Sequence, residues 1–291
     1  MQEKKHKEQT KFIWIDGQFI PWQQATVPFL THSLHYADAV FEDLRAYNGH
    51  IFKAPEHFER LLKSAKILDM PLDLTIHDLD NLSTMLLVKN NLADAYIRPL
   101  VWRGCETIGI YSKDNTIHIG MAAWELSHTY FQDVIENGIS LCWGNWLRPH
   151  PGTFPVMAKA SALYTTAVLN KNRAKDKGFD DALFKDYRGY IADLSNANIF
   201  LVIRGEIHTP KPLSFIDGIT RQTVIEIARR LGYNVYVHDI LPSELDNADE
   251  VFITGTLAEV LPVGRIEQTR YPVGSVTRLL RQAYLNLVNR P

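Results

Sequence analysis

The sequence predicts a mixed α/β (α+β) fold in two domains. Three observations carry this. Short apolar segments bounded by turn formers recur along the chain, which is the patterning of strands. Between them stand stretches whose apolar residues keep helical spacing. The chain has 291 residues, 46% hydrophobic and 22% charged, which is globular composition with length for two ordinary domains or one large one.

Residues 1–11 form a polar leader, "MQEKKHKEQTK", followed by no apolar run of signal-peptide length. "FIWIDGQFIPW" then reads as two short strands about an Asp16-Gly17 turn, a strong hairpin signal. "APEHFERLLKSAKIL" has Pro55 at a first helical position, and Phe58, Leu61, Leu62, Ala65 and Leu68 fall at helical spacing. "AYIRPLVW" and "TIHIGMAAW" are strands. From 126 to 136, "LSHTYFQDVIE" lacks a clean period, which places a boundary between a domain at 12–130 and another at 131–291. The second half opens with strand-like "ISLCWGNW" and a loop, "RPHPGTFP". A helix is expected to begin at Lys159, with Ala160, Tyr164, Ala167 and Val168 on one face. "DALFKD" and "YIADLSNANIFLVIRGEIHTP" read as successive strands. "DGITRQTVIEIARRLG" is the clearest helix, with Val224, Ile227, Ala228 and Leu231 on one face and Gly232 at its end. "VYVHDI" and "EVFITG" close the series as strands, and most connections look antiparallel.

Composition removes several functions. A formal net charge of -2 gives no electrostatic case for nucleic acid or an anionic membrane. No segment is long and apolar enough to span a bilayer. Two cysteines, Cys105 and Cys142, are too few for a disulfide framework and wrongly spaced for zinc. A soluble, cytoplasmic protein is expected. Neither GxGxxG nor GxxxxGK[ST] occurs, which excludes the two common phosphate-loop nucleotide folds.

The chemistry concentrates in a few short stretches. In "MAKASALY", Lys159 stands among alanines and a serine that give it nothing to pair with. Gly218-Ile219-Thr220 leads into a strong helix, where free N–H groups and the helix dipole make an anion seat. Gly255-Thr256 ends a strand with a second tight turn rich in donors. Asp193 follows an apolar strand residue and precedes a run of turn formers. Singly these are a solvated lysine, a helix-start threonine and a turn aspartate. Together they suggest a phosphorylated cofactor whose aldehyde needs an amine. His32, His35, Asp38 and Glu42 have helix-neighbour spacing, but solvated faces share it, and no metal is expected.

"HSLHYADAVFEDLRAY", "AYIRPL", "AKASALY", "IADLSNANIF", "DGITR" and "FITGTLAEVLPV" occur in this order between about residue 12 and 268. Together they resemble the branched-chain amino acid aminotransferase group of the fold-type IV pyridoxal-phosphate enzymes. That resemblance implies a smaller N-terminal α/β domain on the substrate side and a larger C-terminal pseudo-barrel domain that binds pyridoxal 5'-phosphate. It implies a transaminase that moves an amino group between an amino acid and 2-oxoglutarate, in a homodimer or larger homo-oligomer whose pocket the partner chain completes. Lys159 would form the Schiff base and carry the proton shift, for which an amine of ordinary pKa near about 10.4 must lose its proton. Arg60, Ile219, Thr220 and Thr256 would hold the phosphate, Tyr164 the phenolic oxygen and Asp193 the ring nitrogen. Arg98 would receive a side-chain carboxylate, with Tyr96 on the same strand face, and Thr256, Leu257 and Ala258 the α-carboxylate. Tyr36, Phe41, Ile108, Ile110 and Trp124 would line the pocket, some from across the dimer interface.

Two places depart from the family pattern. Asp193-Leu194 stands where glutamate and glycine are usual, and the shorter acid would need a shifted backbone or a bridging water to reach the ring nitrogen. "FEDLR" replaces "FEGIR", putting Asp43 where glycine would border the pocket. An inward Asp43 would strand a charge against an apolar substrate, so leucine, isoleucine and valine are expected to be poor substrates. The scaffold also allows D-amino acid or amine transamination, aminodeoxychorismate lysis, or a degenerate cofactor-binding protein of low activity.

Overall fold

The computed structural model describes residues 10–126 and 132–289. Most of the polar leader and the expected domain boundary lie outside those residues. The chain divides into two units, one of residues up to 126 together with Ala158–Ala162, the other of 132–157 and 163–289. Lys159 is therefore counted with the first unit.

The first unit starts with strands β1 (Phe12–Ile15) and β2 (Gln18–Pro21), joined at Asp16 (φ 46°) and Gly17 (φ 89°). Both turn residues are left-handed, as a two-residue hairpin of matching twist requires. There follow α1 (His32–Tyr36), β3 (Val40–Phe41), β4 (Leu44–Tyr47), β5 (His50–Ile51), α2 (Ala54–Ile67), α3 (Ile76–Asn90), β6 (Ala95–Arg103) and β7 (Ile117–Glu125). The strands make one antiparallel sheet in the order β2-β1-β7-β6-β4-β5, with β3 also on β6. Helix α2 buries Phe58, Leu61 and Ala65, the stripe expected from their spacing. Helix α3 has a blunter apolar pattern, but a start signal was present. Thr75 Oγ1 accepts from Asp78 N–H (3.1 Å) while the Asp78 carboxylate accepts from Thr75 N–H (2.8 Å), a capping box.

The second unit contains α4 (Gln132–Asn137), β8 (Ile139–Trp143), α5 (Tyr164–Asp176), β9 (Asp181–Lys185), β10 (Ile191–Leu194), β11 (Asn198–Ile203), β12 (Glu206–Pro210), α6 (Ile219–Arg230), β13 (Val235–His238), β14 (Glu250–Gly255), β15 (Glu259–Ile266), β16 (Thr269–Arg270) and α7 (Ser275–Val288). Its strands run β10-β9-β8-β15-β14-β11, and β10 also pairs with β11. That last pairing closes six strands into a ring, the pseudo-barrel expected of this domain. Leu141, Leu183, Ile199, Leu201, Val251, Ile253, Leu261 and Val263 fill it, taken at every second position of their strands. Outside the ring, Cys142, Ala182, Phe184 and Ala192 pack with Ala167 and Ala174 of α5.

One expectation fails here. The helix does not begin at Lys159: a 3-10 turn at Ser161–Leu163 precedes α5, Ala160 pairs with Val40, and Val168 is exposed. The alanines favour helix, but residues 158–161 find backbone partners on β3. Phe41 N–H donates to the Lys159 carbonyl (3.1 Å) and Ser161 N–H to that of Ala39 (2.8 Å). A tertiary partner overrides a weak local preference.

Helix α7 is capped from elsewhere. Buried Glu250, on β14, accepts from Val276 N–H (3.1 Å), Thr277 N–H (2.8 Å) and Thr277 Oγ1 (2.7 Å). Gly274, the residue before the helix, has no Cβ because the Glu250 carboxylate fills that space. The carboxylate satisfies first-turn donors and meets the positive end of the helix. Glu250→Ala is expected to cost about 1–3 kcal/mol and to lower Tm by several degrees in thermal unfolding, with Glu250→Gln recovering part of the loss.

Candidate active site

Lys159 is 4% exposed. Its backbone is pinned on both sides, by β3 as above and by Ser64 of α2, whose Oγ accepts from Lys159 N–H (3.1 Å). Ala158 and Ala160 are fully buried, and their small side chains let this segment lie against its neighbours. The expectation that the lysine has no partner is wrong. Its Nζ lies 2.9 Å from Asp43 Oδ2 and 4.4 Å from the centre of the Phe41 ring. Small residues beside it in sequence leave room for a carboxylate distant in sequence.

Asp43 is the hub of this cluster. It is 3% exposed, and Arg98 Nη2 approaches Oδ1 to 2.6 Å, an ion pair without good hydrogen-bond alignment. The Tyr96 phenol stands beside the carboxylate and helps hold it ionised. Burial alone would raise the Asp43 carboxyl, but Lys159 and Arg98 together hold it below the usual carboxylate range. Burial and the neighbouring Asp43 charge push the Tyr96 phenol well above its ordinary value, which keeps it a proton donor. The Arg98 guanidinium lies over the Phe41 ring (4.6 Å), and Tyr96 packs on Trp124 (5.1 Å). The structure thus joins Lys159, Phe41, Asp43, Tyr96, Arg98 and Trp124. The Asp43 charge is thus met by two cations, with the Tyr96 phenol beside it.

Behind Asp43 lies a second buried acid. Glu42 is fully buried and takes Arg60 through Nε (2.5 Å) and Nη2 (2.9 Å), and His57 through Nδ1 (2.8 Å). Burial would raise its carboxyl, yet the guanidinium and imidazole hold it far below 4.5. Arg60, expected as a phosphate ligand, is thus anchored through Glu42. The four residues weighed as metal ligands do not converge on one point. Glu42 belongs to this network, Asp38 joins His32 (3.1 Å), Ser33 (2.6 Å) and Arg103 (3.0 Å), and His35 lies against the Phe29 carbonyl. Tyr36 Oη donates to the Ile108 carbonyl (2.9 Å); Ile108 and Ile110 are both exposed.

In the second unit, Asp193 sits in a β-bulge. Ile191 pairs with Lys185 and Leu194 with Leu183, so three steps on β10 oppose two on β9. Ile191 and Leu194 consequently both enter the barrel core, which a regular strand would forbid. Leu194, where the resemblance expects glycine, is a core residue. Asp193 meets Arg148 instead, with Nε on Oδ1 (2.6 Å) and Nη2 on Oδ2 (3.1 Å), while Nη2 also donates to the Leu194 carbonyl (2.7 Å). Burial pushes the Asp193 carboxyl up to about 6 against the pull of Arg148. Sequence reasoning missed Arg148, which stands in an irregular loop without periodicity.

The phosphate-seat residues are also in the second unit. Gly218 precedes α6, and no side chain caps the helix. The Asn198 side-chain oxygen occupies the space of a Cβ at Gly218, so a larger residue there would have to displace it. Ile219 and Thr220 open the helix, both buried, with first-turn N–H groups that no cap claims. Arg221 braces the approach through Asp217 (2.6 Å), Thr209 (3.1 Å) and the Pro210 carbonyl (3.0 Å). Thr256, Leu257 and Ala258 form the turn between β14 and β15.

Glu42→Gln is expected to cost about 3–5 kcal/mol at pH 7, because it leaves Arg60 and His57 facing a neutral group. The folded carboxyl lies below its unfolded value, so its contribution is complete above pH 4.5 and fades as the pH falls toward the folded value. Chemical unfolding of both proteins at pH 7 and at lower pH should show the deficit shrinking on the acid side.

Residues 39–266 match the amino-transferase class IV family. A probable branched-chain-amino-acid aminotransferase of Rickettsia bellii is 41% identical over 256 residues, 88% of this chain and 87% of the relative. A branched-chain amino acid aminotransferase from T.th., solved with pyridoxamine 5'-phosphate, superposes with a TM-score of 0.93 at 36% identity, covering 97% of this chain and 96% of that one. The same enzyme complexed with N-(5'-phosphopyridoxyl)-L-glutamate gives 0.92, with the same identity and coverage. With a family match over most of its length and a relative at this identity, the chain belongs to amino-transferase class IV.

Proposed function

We propose that this chain is a pyridoxal 5'-phosphate-dependent aminotransferase of the branched-chain amino acid type, with Lys159 as its catalytic residue. The observation that carries the reading is one lysine, buried, pinned at its backbone and held beside a carboxylate, in a chain of this family. The proposed partners are an amino acid and a 2-oxo acid, with 2-oxoglutarate the acceptor that the resemblance implies.

The residues fit the cofactor. A phosphate needs clustered donors, and α6 begins without a side-chain cap, with Ile219 and Thr220 buried behind Gly218. Ile219, Thr220 and Thr256 would hold it, with Arg60 steadied by Glu42. Tyr164 would hydrogen-bond the phenolic oxygen. Asp193, oriented by Arg148 and ionised above about pH 6, would face the ring nitrogen. The bulge at Asp193 supports that reading, since the shorter acid would need a shifted backbone to reach the ring. Bound pyridoxal phosphate supplies the electron sink that lets an amino acid lose its α-proton and pass on its nitrogen.

Lys159 would hold the cofactor covalently through Nζ and move the proton at the substrate α-carbon. Asp43 stabilises the ammonium form of that amine when it carries the proton. The hydroxyl and N–H groups of Thr256, Leu257 and Ala258 would orient the α-carboxylate, while Phe41, Tyr96 and Trp124 exclude water from the side chain. A homodimer is part of the proposal. Phe29, Leu34, Ile110 and Tyr111 of the first unit are 82, 64, 79 and 65% exposed, a set of apolar side chains suited to a partner chain. The cysteines are free, in keeping with the cytoplasmic location expected above.

The test is covalent. Purified protein should carry a visible cofactor band that changes on adding leucine, and borohydride should fix the cofactor to the peptide containing Lys159. Lys159→Ala should lose both band and adduct and drop turnover by at least about a thousandfold. A wild type that takes up no cofactor, or an adduct on another lysine, contradicts the assignment.

A further inference from the structure

We propose that His208 and His238 chelate a divalent transition-metal ion at the outer edge of the second unit's sheet. The site stands apart from the aminotransferase reading and uses none of the residues that reading assigns.

β12 and β13 run parallel and end the sheet, with His208 opposite Tyr236 and Pro210 opposite His238. Side chains alternate between the faces of a strand, so Glu206 and His208 of β12 share a face with Tyr236 and His238 of β13. There the His208 ring stacks on Tyr236 (5.2 Å) and meets His238 edge-on (5.2 Å). Tyr236 Oη and Asn234 Nδ2 both donate to one Glu206 oxygen (3.1 Å each), which puts a carboxylate on the same panel. Glu206, His208, Tyr236, Val237 and His238 line a cavity of about 350 Å³, room for an ion and its waters. The two histidines are 30 positions apart, which hides the pair from sequence spacing.

The hydrogen bonds fix the tautomers of the neutral rings. His238 Nδ1 lies 2.9 Å from the Asp239 carbonyl, which can only accept, so Nδ1 carries the proton and Nε2 the lone pair. His208 Nδ1 then donates to His238 Nε2 (3.0 Å). A metal-binding imidazole usually gives its other N–H to a carboxylate, water or backbone carbonyl, and His238 is already held that way. His208 reaches the matching state when its proton passes through water from Nδ1 to Nε2, with no change in charge. Both facing nitrogens then carry lone pairs, and a turn of each ring aims them at one ion. Nitrogens 3.0 Å apart, each about 2.0–2.1 Å from an ion, subtend about 95° at it. That is the angle between neighbouring positions of square-planar or octahedral coordination and is too tight for a tetrahedron, which favours Cu2+ and Ni2+ over Zn2+. Among the described residues no third His, Cys, Asp or Glu side chain joins the pair, so water completes the coordination.

The experiment titrates NiCl2, CuCl2 and ZnCl2 into untagged holoenzyme, the metal salts alone being the probes. Calorimetry should show one Ni2+ site per chain with Kd at or below about 100 µM, and tighter binding of Cu2+ than of Ni2+ or Zn2+. His208→Gln and His238→Gln should each weaken Ni2+ binding at least about tenfold, since each removes one arm of the chelate. His50→Gln, at an exposed histidine of the first unit, should bind as the wild type does. Ni2+ should also raise the Tm of the wild type and not of the two variants, because an ion that binds only the folded chain stabilises it. Where a variant does not fold, Cu2+ electron paramagnetic resonance of the wild type decides: coupling to two imidazole nitrogens supports the site, and oxygen coordination alone overturns it. The inference is also overturned if the wild type binds neither Ni2+ nor Cu2+ in this range, or if the folded double variant binds them as tightly as the wild type. None of these readouts involves turnover, so their outcome is separate from that of the cofactor test.

Discussion

Two adjacent carboxylates, Glu42 and Asp43, are sunk in the first unit, and neither can be left there alone. A buried anion without a partner costs several kcal/mol, so each acid has to recruit cations from other parts of the chain. Successive residues of extended chain point to opposite sides. Glu42 accordingly faces α2, drawing in Arg60 and His57, and Asp43 faces β6 and the lysine segment, drawing in Arg98 and Lys159. The positions of Arg60, Arg98 and the Lys159 amine follow from compensating those two charges. The same requirement explains why Lys159 is ordered at all. A buried lysine held by a carboxylate, a backbone pairing with β3 and a hydroxyl from α2 loses its rotamers before any ligand arrives, which lowers the entropy lost on binding.

The second unit meets a comparable requirement with backbone rather than charge. A six-stranded ring has a narrow interior that side chains must fill. β10 contributes only four residues, and two of them, Ile191 and Leu194, are used as filling. The bulge that makes this geometry workable carries Asp193 between them and turns it to Arg148. Leu194 and Asp193 are thus placed by one bulge: the larger residue fills the barrel, and the acid turns to Arg148.

Much of this was legible in the sequence, for identifiable reasons. The hairpin at Asp16-Gly17, the barrel strands before β15 and the stripe of α2 are local patterns, as is that of α6 except for Leu231, which lies past the helix end and is exposed. Chain chemistry within a few residues decides them. The closed ring was legible only through family resemblance. Glu42, Arg148 and Glu250 were invisible as partners, because each acts on residues far away in sequence. An acid on one strand that caps a helix behind another element leaves no spacing to find. Lys159 stood out in the sequence for a reason that the structure overturns, since it does have a partner. Its alanine neighbours make room, and what enters that room is Asp43, more than a hundred positions earlier. The helix start at 159 was misplaced for the same cause, since β3 competes for its backbone.

The order in which the ring strands occur has a bearing on how the second unit is made. β8 lies between β9 and β15, and its partner on that side is the last strand of the ring to leave the ribosome. Ile139 must wait for Val263, so the closing contact is among the most distant in the unit. Contacts of such long loop closure form slowly. That edge of β8 is covered only once β15 is in place, and an uncovered strand edge is a template for pairing.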